Sequence, residues 1–240
     1  MNEACYHGHF TLDRPMTILV IAAHPDDEVL GCGGTIAKLS DSNHNVVVAI
    51  LGEGLTSRSH DNRSTDRSQL KRLKQQCRSA TTLLGVNKTL FYDLPDNRFD
   101  SLPLLDVIKI VEDIMEKTGP EIIFTHHPGD LNIDHKITHR AVLTAARPFE
   151  GSSLKEVLAF EIPSSTEWGF SQFSDFSPNV FVDISTTIQR KSDALSMYDS
   201  EIKRFPHPRS TAHIENLAKV RGAAAGMRSA EAFSLILKRM

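Results

Sequence analysis

The stretch AHPDDEVLGCGG, residues 23–34, places His24 three residues before Asp27 in a tight turn after an apolar run. At this spacing both side chains can face one point, and Zn²⁺ takes imidazole nitrogen and carboxylate oxygen as ligands. A catalytic zinc site uses three protein ligands and keeps a position open for water. His135, in NIDHKITH, is the natural third ligand from a distant loop. Asp26 would then stand beside the metal, where a general base could accept a proton from attacking water.

A dinucleotide-binding turn is one alternative for this stretch, because Gly31, Gly33 and Gly34 follow a predicted strand and Glu53 lies about twenty residues further on. That motif asks for a third glycine where this chain has Ile36. The charged HPDDEVL turn also separates the glycines from the strand, so the tight strand–glycine–helix geometry is lost. The glycines are better explained as positions where a helix approaches the sheet closely.

A second alternative gives the acidic residues no chemical role. Asp26, Asp27 and Glu28 would simply favour the positive end of the helix that follows them. That account suits one acidic residue. It explains less well why three occur together, with a histidine before them and a histidine-rich loop elsewhere.

Short apolar runs alternate with amphipathic segments along the chain. Strands are predicted at 17–23, 45–51, 88–92, 121–125, 156–162 and 179–184, and helices at about 33–42, 66–84, 102–118, 134–147, 186–200 and 210–225. This alternation predicts an α/β fold, a doubly wound, Rossmann-like and mostly parallel sheet with helices on both faces. We expect one domain over residues 1–240, with 1–15 as a flexible N-terminal segment.

Four polar loops follow the first four predicted strands. They read HPDDE, GEGLTSR, DLPDNRFD and HHPGDLNIDH in chain order. Ligands bind at the carboxyl edge of open parallel sheets. The four loops are therefore expected to meet at one rim, which is the strongest inference that the residues support on their own.

The composition sets further limits. A net charge of −3 over 240 residues disfavours a nucleic-acid-binding surface. Three widely spaced cysteines predict neither a disulfide framework nor a thiolate zinc site and suit a reducing compartment. Neither a signal peptide nor an apolar run of the roughly 20 residues that span a bilayer is recognisable. We expect a cytoplasmic protein.

These motifs resemble those of the PIG-L/LmbE-type zinc-dependent de-N-acetylases. The matching elements are AHPDDE followed by GCGGTIAKL, DLPDNRFD, and the DH after the fourth strand. The family includes deacetylases of N-acetylglucosaminyl-phosphatidylinositol and of the mycothiol and bacillithiol pathways. The resemblance runs from about residue 17 to the end, where VFVDIS, HPRS and AEAF resemble a bacterial branch often associated with surface-polysaccharide synthesis.

The resemblance implies a Zn²⁺ site on His24, Asp27 and His135 with Asp26 as base, the same four residues that their chemistry suggests. Asp134, just before a ligand, would be an orienting carboxylate.

The family often has a histidine three residues before the third ligand, and here that position is Asn132. An amide can donate to an oxyanion but cannot carry a proton to the leaving group. Either the metal and Asn132 suffice, or His126, His127 or His207 supplies the acid, with His127 preferred because it shares the loop. Asp26 could equally return the proton it has taken.

Substrate contacts are predicted from the rim loops. Asp96 matches a sugar-binding acidic position of the family and is flanked by Arg98, although residues 95–97 also suit a simple turn. Arg58 could meet a phosphate or carboxylate of the substrate, within a segment (56–68) that could act as a lid. His139 is expected to pack locally rather than bind metal, and Arg209 with His207 to close over the substrate.

The function expected from the sequence is removal of an N-acetyl group from an N-acetylated amino sugar or sugar conjugate. Two alternatives stay open, a zinc amidase that deacylates a non-sugar small molecule and a nucleotide- or sugar-binding module without turnover. The partner is a small molecule, and a homo-oligomer would suit the family.

Overall fold

Residues 14–55, 67–170 and 174–240 are described by the computed structural model, and the seven strands found there form one sheet. The strands are β1 (Thr17–Ala22), β2 (Asn45–Gly52), β3 (Lys88–Leu94), β4 (Ile122–His126), β5 (Glu156–Phe160), β6 (Val180–Asp183) and β7 (Ala230–Lys238). The helices are α1 (Asp27–Asp41), α2 (Arg67–Leu83), α3 (Leu104–Thr118), α4 (Ile133–Ala145), α5 (Ile188–Leu195) and α6 (Thr211–Ala224). Two single turns of 3₁₀ helix occur at Phe99–Ser101 and Glu167–Gly169.

The strand order is β3-β2-β1-β4-β5-β7-β6. The pairs from β3 to β5 are parallel, whereas β7 runs antiparallel between β5 and β6. The predicted α/β class with a mostly parallel sheet is confirmed. Among the described residues, none of the helices has the length and apolar content to cross a bilayer.

Both faces of the sheet are buried, as β1 shows. Ile18 and Val20 face a core shared with α1, α2, α5 and α6, and Leu19 and Ile21 face a core shared with α3 and α4. All four side chains are fully buried. Alternate residues of a strand point to opposite faces, so a continuous apolar run suits a strand covered on both sides.

The centre of the sheet determines where a ligand can bind. β1 lies between β2 and β4, so the chain leaves β1 toward one edge of the sheet and later returns on its other side. The crevice at the carboxyl end of such a switch point is the usual ligand site in this architecture. The loops after β1 and β4, which carry the HPDDE and HHPGDLNIDH motifs, both open there.

Helix α1 is interrupted at Cys32, whose φ of −149° is not helical. The interruption frees backbone groups that side chains from distant elements then satisfy. Lys191 Nζ donates to the Leu30 carbonyl at 2.8 Å, and the Glu231 carboxylate accepts from two freed amides of α1, at 3.0 and 2.7 Å. Lys191 and Glu231 also pair at 2.5 Å. Helix α1 is therefore tied to α5 and β7.

The glycines of GCGG allow α1 to lie close to the sheet. A Cβ on Gly31 would stand 2.5 Å from Phe160 Cδ2, and one on Gly34 would stand 2.8 Å from Ile184. Both distances are too short for real contacts. The close approach expected for these glycines is therefore present, and no φ there requires glycine.

Two elements differ from the sequence prediction. Helix α1 begins at Asp27 rather than near 33, so the second half of the DDE motif lies in its first turn. Strand β7 was not predicted, because its Ala, Glu, Leu and Lys residues favour helix by themselves. Pairing with β5 on one side and β6 on the other determines its conformation instead.

Candidate metal centre and active site

Three potential metal ligands converge at the carboxyl ends of β1 and β4. His24 lies in the loop after β1, Asp27 begins α1, and His135 is in the first turn of α4. Asp27 Oδ2 lies 3.4 Å from His24 Nδ1 and 3.2 Å from His135 Nε2. One donor atom of each residue falls within 4.8 Å of those of the other two. The structure thus brings together the three predicted ligands.

Two donor atoms of this group are buried without a hydrogen-bond partner among the described residues. They are Asp27 Oδ1 and His135 Nε2. A buried polar atom left unpaired costs about 1–3 kcal/mol, so proteins keep few of them. A cation held between the three residues would satisfy both atoms. Two histidines and one carboxylate suit Zn²⁺, and the donor set therefore fits this metal.

Asp134 orients His24. Its Oδ2 accepts a hydrogen bond from His24 Nε2 at 2.9 Å, which leaves Nδ1 for a metal. The same carboxylate accepts the backbone amides of Asn97 at 2.6 Å and Phe99 at 3.0 Å. A carboxylate on the second nitrogen fixes the tautomer and the orientation of a ligating imidazole. Asp134 therefore connects the loop after β3 to His24, rather than acting on its neighbour His135.

Asp130 has the corresponding relation to His135 and was not among the residues predicted from the sequence. Asp130 Oδ2 lies 2.9 Å from His135 Nδ1, which leaves Nε2 for a metal. Thr166 Oγ1 donates to the same oxygen at 3.2 Å. An aspartate five residues before a predicted ligand, in the loop HHPGDLNIDH, was the available signal.

The charge on both imidazoles is favoured by these carboxylates. Burial alone would lower the pKa of His24, but hydrogen bonds to Asp134 and Asp27 outweigh it and raise the pKa to about 10. Burial likewise opposes the charge on His135, and Asp27 and Asp130 raise its pKa to about 9. The cluster of carboxylates therefore favours positive charge at this point.

Asp26 precedes α1 with an unusual backbone. Its φ is +113°, a strained value for a residue other than glycine. The Asp26 amide donates to Glu28 Oε2 at 3.0 Å, and the Tyr198 hydroxyl donates to Glu28 Oε1. Asp26, Glu28 and Tyr198 are all buried. A buried carboxylate fixed by a tyrosine thus holds the turn that presents Asp26.

The Asp26 carboxyl lies beside an arginine. Arg209 Nη1 donates to Asp26 Oδ2 at 3.0 Å. The pKa of Asp26 is raised to about 8, chiefly because burial disfavours its charge. Arg209 opposes that shift, and the carboxylates of Asp27 and Glu201 add to it. A carboxyl with a pKa near neutrality can both accept and return a proton.

A polar cavity of about 70 Å³ lies above this group. Its lining includes Asp26, Asp96, Asn97, Asn132, Glu201 and Arg209. A groove of about 430 Å³, lined by Met115, Pro120 and Phe149 among others, opens where β4 and β5 begin, at the other edge of the sheet. Of the three proposed ligands His24 lines the smaller cavity, and we place the active site there.

The three predicted substrate-binding residues lie in different places relative to the cavity or to the described part of the chain. Asp96 is buried, lines the cavity, and its Oδ1 lies 3.2 Å from His24 Nε2. Arg98 is exposed and does not line the cavity; its neighbour Asn97, with a φ of +53°, does. Arg58 and most of the predicted lid lie outside the described residues.

Asn132 lines the cavity, but its amide is already engaged. The Oδ1 atom caps α4 by accepting from the Asp134 amide at 2.8 Å. Its Nδ2 donates to Asn97 Oδ1 at 3.1 Å. Asn132 therefore connects the two loops, and a proton donor has to come from elsewhere.

His127, the histidine preferred as acid, is not part of the cavity lining. It is buried, its Nε2 lies 2.9 Å from the Ser174 carbonyl, and its ring packs edge-on against Phe176 at 5.2 Å. The residue shares the loop with the ligands, but the loop directs it toward the segment before β6. We therefore do not retain it as the proton donor.

Three further histidines, His126, His139 and His207, surround the site without being proposed ligands. The rings of His126 and His135 stack with their centroids 3.9 Å apart, and His126 Nε2 accepts a hydrogen bond from the Ala23 backbone amide at 2.8 Å. Burial and the charge on His135 lower the pKa of His126 well below its usual value. His139 Nδ1 bonds to the His126 carbonyl at 2.8 Å, in agreement with its expected local role. His207 Nδ1 accepts the Arg209 amide at 3.0 Å.

Comparison with known proteins identifies the family. Residues 19–146, more than half of the chain, match the sequence model of PIG-L, described as GlcNAc-PI de-N-acetylase. The chain belongs to the PIG-L family. It is also 30% identical over 240 residues to diacetylchitobiose deacetylase of Thermococcus kodakarensis, covering 95% of this chain and 87% of that protein. It is 30% identical to the uncharacterized deacetylase YaiS of Escherichia coli K12, and the alignment covers 68% of this chain and 80% of YaiS.

The fold of this PIG-L protein also occurs with another activity. A 4-carboxy-2-hydroxymuconate hydratase from Pseudomonas putida superimposes with a TM-score of 0.74 at 20% identity, covering 94% of this chain and 98% of that one. Identity at this level shows a common fold alone. A function for this chain has to be argued from the site itself.

Proposed function

We propose that this protein is a zinc-dependent hydrolase that removes the N-acetyl group from an N-acetylated amino sugar or sugar conjugate. The observation that carries the proposal is the convergence of His24, Asp27 and His135, of which His24 lines one cavity together with Asp26. Membership of a de-N-acetylase family and the names of the relatives support the choice of an acetamide over other bonds.

Each proposed ligand would bind through the atom that its carboxylate partner leaves free. His24 would use Nδ1, because Asp134 occupies its Nε2, and His135 would use Nε2, because Asp130 occupies its Nδ1. Asp27 would use a carboxylate oxygen. Zn²⁺ held there would supply a Lewis acid that lowers the pKa of water and polarises the acyl carbonyl.

Asp26 is proposed as the residue that moves the proton. It accepts a proton from the water whose oxygen attacks the acyl carbon. The C–N bond then breaks, and Asp26 returns the proton to the leaving nitrogen, so that acetate and a free amine are released. Asp26 performs both steps because neither Asn132 nor His127 offers a proton to the cavity.

Asp96 and Asn97 are proposed to bind the sugar. Both line the cavity, and their carboxylate and amide groups suit the hydroxyls of a sugar. A non-sugar amide is the second candidate, because the same centre would hydrolyse it. The polar lining of the cavity favours the sugar, because its hydroxyls can both donate to a carboxylate and accept from an amide.

The described cysteines, Cys32 and Cys77, are buried and unpaired. Free thiols agree with the reducing, cytoplasmic location that we propose.

The proposal is tested with metal-loaded protein and a panel of N-acetylated sugars, free and carrier-linked, with released amine as the readout. We expect hydrolysis that ends when a chelator removes the metal and returns with Zn²⁺. Asp26→Asn should keep about one zinc per chain and lose about 10²–10⁴-fold in kcat. His135→Ala should lose both zinc and activity. Wild-type turnover by Asp26→Asn would overturn the assignment of the base.

A further inference from the structure

Arg209 is an active-site cation that the zinc-binding motifs do not explain. It lies before α6, far along the chain from His24 and His135. Its Nη1 lies 3.0 Å from Asp26 Oδ2 and 3.3 Å from Glu201 Oε2, and its Nε donates to Ser164 Oγ at 2.7 Å. Partners from three separate segments therefore fix the guanidinium in one place.

The surroundings of Arg209 are strongly acidic. Asp26, Asp96 and Glu201 line the cavity with it, and among the described lining residues Arg209 is the sole lysine or arginine. The charge of Asp26, more than any other, raises the pKa of Arg209 above its ordinary value. An arginine in this setting stays charged at every pH at which the protein is folded.

The loop before α4 brings no positive charge to the cavity. Asn132 is neutral, and its carbonyl caps α4. The nearby loop histidines do not replace it, because His127 turns to the Ser174 carbonyl and His126 accepts the Ala23 amide. In the described part of the cavity, a permanent positive charge comes from Arg209.

We propose that Arg209 is a positioning residue that holds the Asp26 carboxylate in place for proton transfer and supplies the permanent positive charge of the cavity. The inference rests on the proposed hydrolase function. Its Nη1 occupies one oxygen of Asp26, so the other oxygen is left to meet the attacking water. Among the described residues none accepts a hydrogen bond from Nη2, and we assign these donors to an oxygen of the substrate.

The three contacts of the planar guanidinium explain why position 209 needs arginine. Lysine would keep the charge, but a single ammonium cannot reproduce the fork that reaches Asp26, Glu201 and Ser164 together. Arg209→Ala should lower kcat by about 10²-fold, the loss seen when one pre-organised active-site donor is removed. Arg209→Lys should recover a part of that loss. Because none of these contacts involves the three proposed ligands, zinc content should not change.

The experiment measures kcat, KM and zinc content for wild type, Arg209→Ala and Arg209→Lys, with and without millimolar guanidinium. Arg221→Ala is the matched control. Arg221 pairs with Glu161 through two contacts, its side chain is 25% exposed against 24% for Arg209, and it does not line the cavity. We expect Arg221→Ala to keep wild-type kcat, and guanidinium to restore part of the activity of Arg209→Ala alone.

Three results would overturn the inference. They are an Arg209→Ala variant with wild-type kcat, a loss of kcat that follows a loss of zinc, and a loss that guanidinium does not relieve. If wild type itself hydrolyses none of the sugars, the proposed function fails. If wild type is active and Arg209→Ala is equally active, the role of Arg209 fails while the proposed function stands.

Discussion

Asp134 Oδ2 lies 2.9 Å from His24 Nε2, although 110 positions separate the two residues in the chain. This contact holds the His24 ring so that Nδ1 faces Asp27. We expect Asp134→Ala to weaken zinc binding by about 10–100-fold, the usual cost of removing such a partner. Competition with a chromophoric chelator measures the affinity.

A control for that variant is Asp113→Ala. Asp113 is a half-buried acid on α3 that pairs with Lys117 at 2.5 Å, distant from the site in the fold. It should leave zinc affinity unchanged. Equal affinities for Asp134→Ala and wild type would contradict the orienting role.

Metal binding should release protons. In metal-free protein at pH 7, His24 with a pKa of about 10 and His135 with a pKa of about 9 are both protonated. Zinc binds neutral imidazole, so loading should displace about two protons. Calorimetry in buffers of different ionisation enthalpy counts them, and a binding enthalpy that does not depend on the buffer would disprove this.

The same two pKa values contribute to the pH dependence of metal-free stability. Both lie above the ordinary value of 6.5, so the stabilisation is complete below pH 6.5. It is lost as pH rises through about 9 and 10. Zinc affinity should increase over the same range. The difference in unfolding temperature between the zinc-loaded and the metal-free protein should therefore increase from pH 6 to pH 10.

Tyr198 supports Asp26 through Glu28. We expect Tyr198→Phe to reduce the free energy of unfolding by about 1–3 kcal/mol, because a buried carboxylate loses its hydroxyl donor. Turnover should also fall, since Glu28 holds the amide of the strained Asp26. Urea denaturation measures the first effect. Tyr92→Phe is the control, because no described residue hydrogen-bonds with its hydroxyl, and equal stability of the two variants would disprove the argument.

The glycines of GCGG give a matched pair of substitutions. Gly31→Ala places a methyl group 2.5 Å from the Phe160 ring and should destabilise by about 1–3 kcal/mol. At Gly33 the nearest atoms are 3.2 Å away on Val29 and 3.3 Å away on the flexible Lys191. Gly33→Ala should therefore reduce the free energy of unfolding less than Gly31→Ala does. The reverse order in denaturant unfolding would contradict the close packing of α1 on Phe160.

Much of the centre could be predicted because its ligands are chemically distinctive. His24 and Asp27 share one turn, and His135 follows a buried strand that had to lie near β1 in a parallel sheet. Asp26 followed from its position beside a ligand. These inferences need only residue type and the rule that parallel strands end at one edge.

The side-chain contacts between sequence-distant residues were harder to predict. Asp130 lies in the loop after β4 and Asp134 in the first turn of α4, and no spacing rule says which imidazole each one meets. Tyr198 and Arg209 come from segments beyond the parallel half of the sheet, and their contacts with Glu28 and Asp26 depend on how α5 and α6 pack. Strand β7 could not be predicted because its neighbours, not its residues, determine its conformation.

The break in α1 has a consequence for any attempt to shorten the protein. The family match ends at residue 146, yet the side chains that cap the opened helix at Cys32, Lys191 and Glu231, come from the last fifty residues. A fragment that retains every proposed zinc ligand would expose three unpaired backbone groups one turn beyond Asp27. The segment that matches the family model is thus an incomplete catalytic module, because its first helix depends on side chains of the C-terminal quarter.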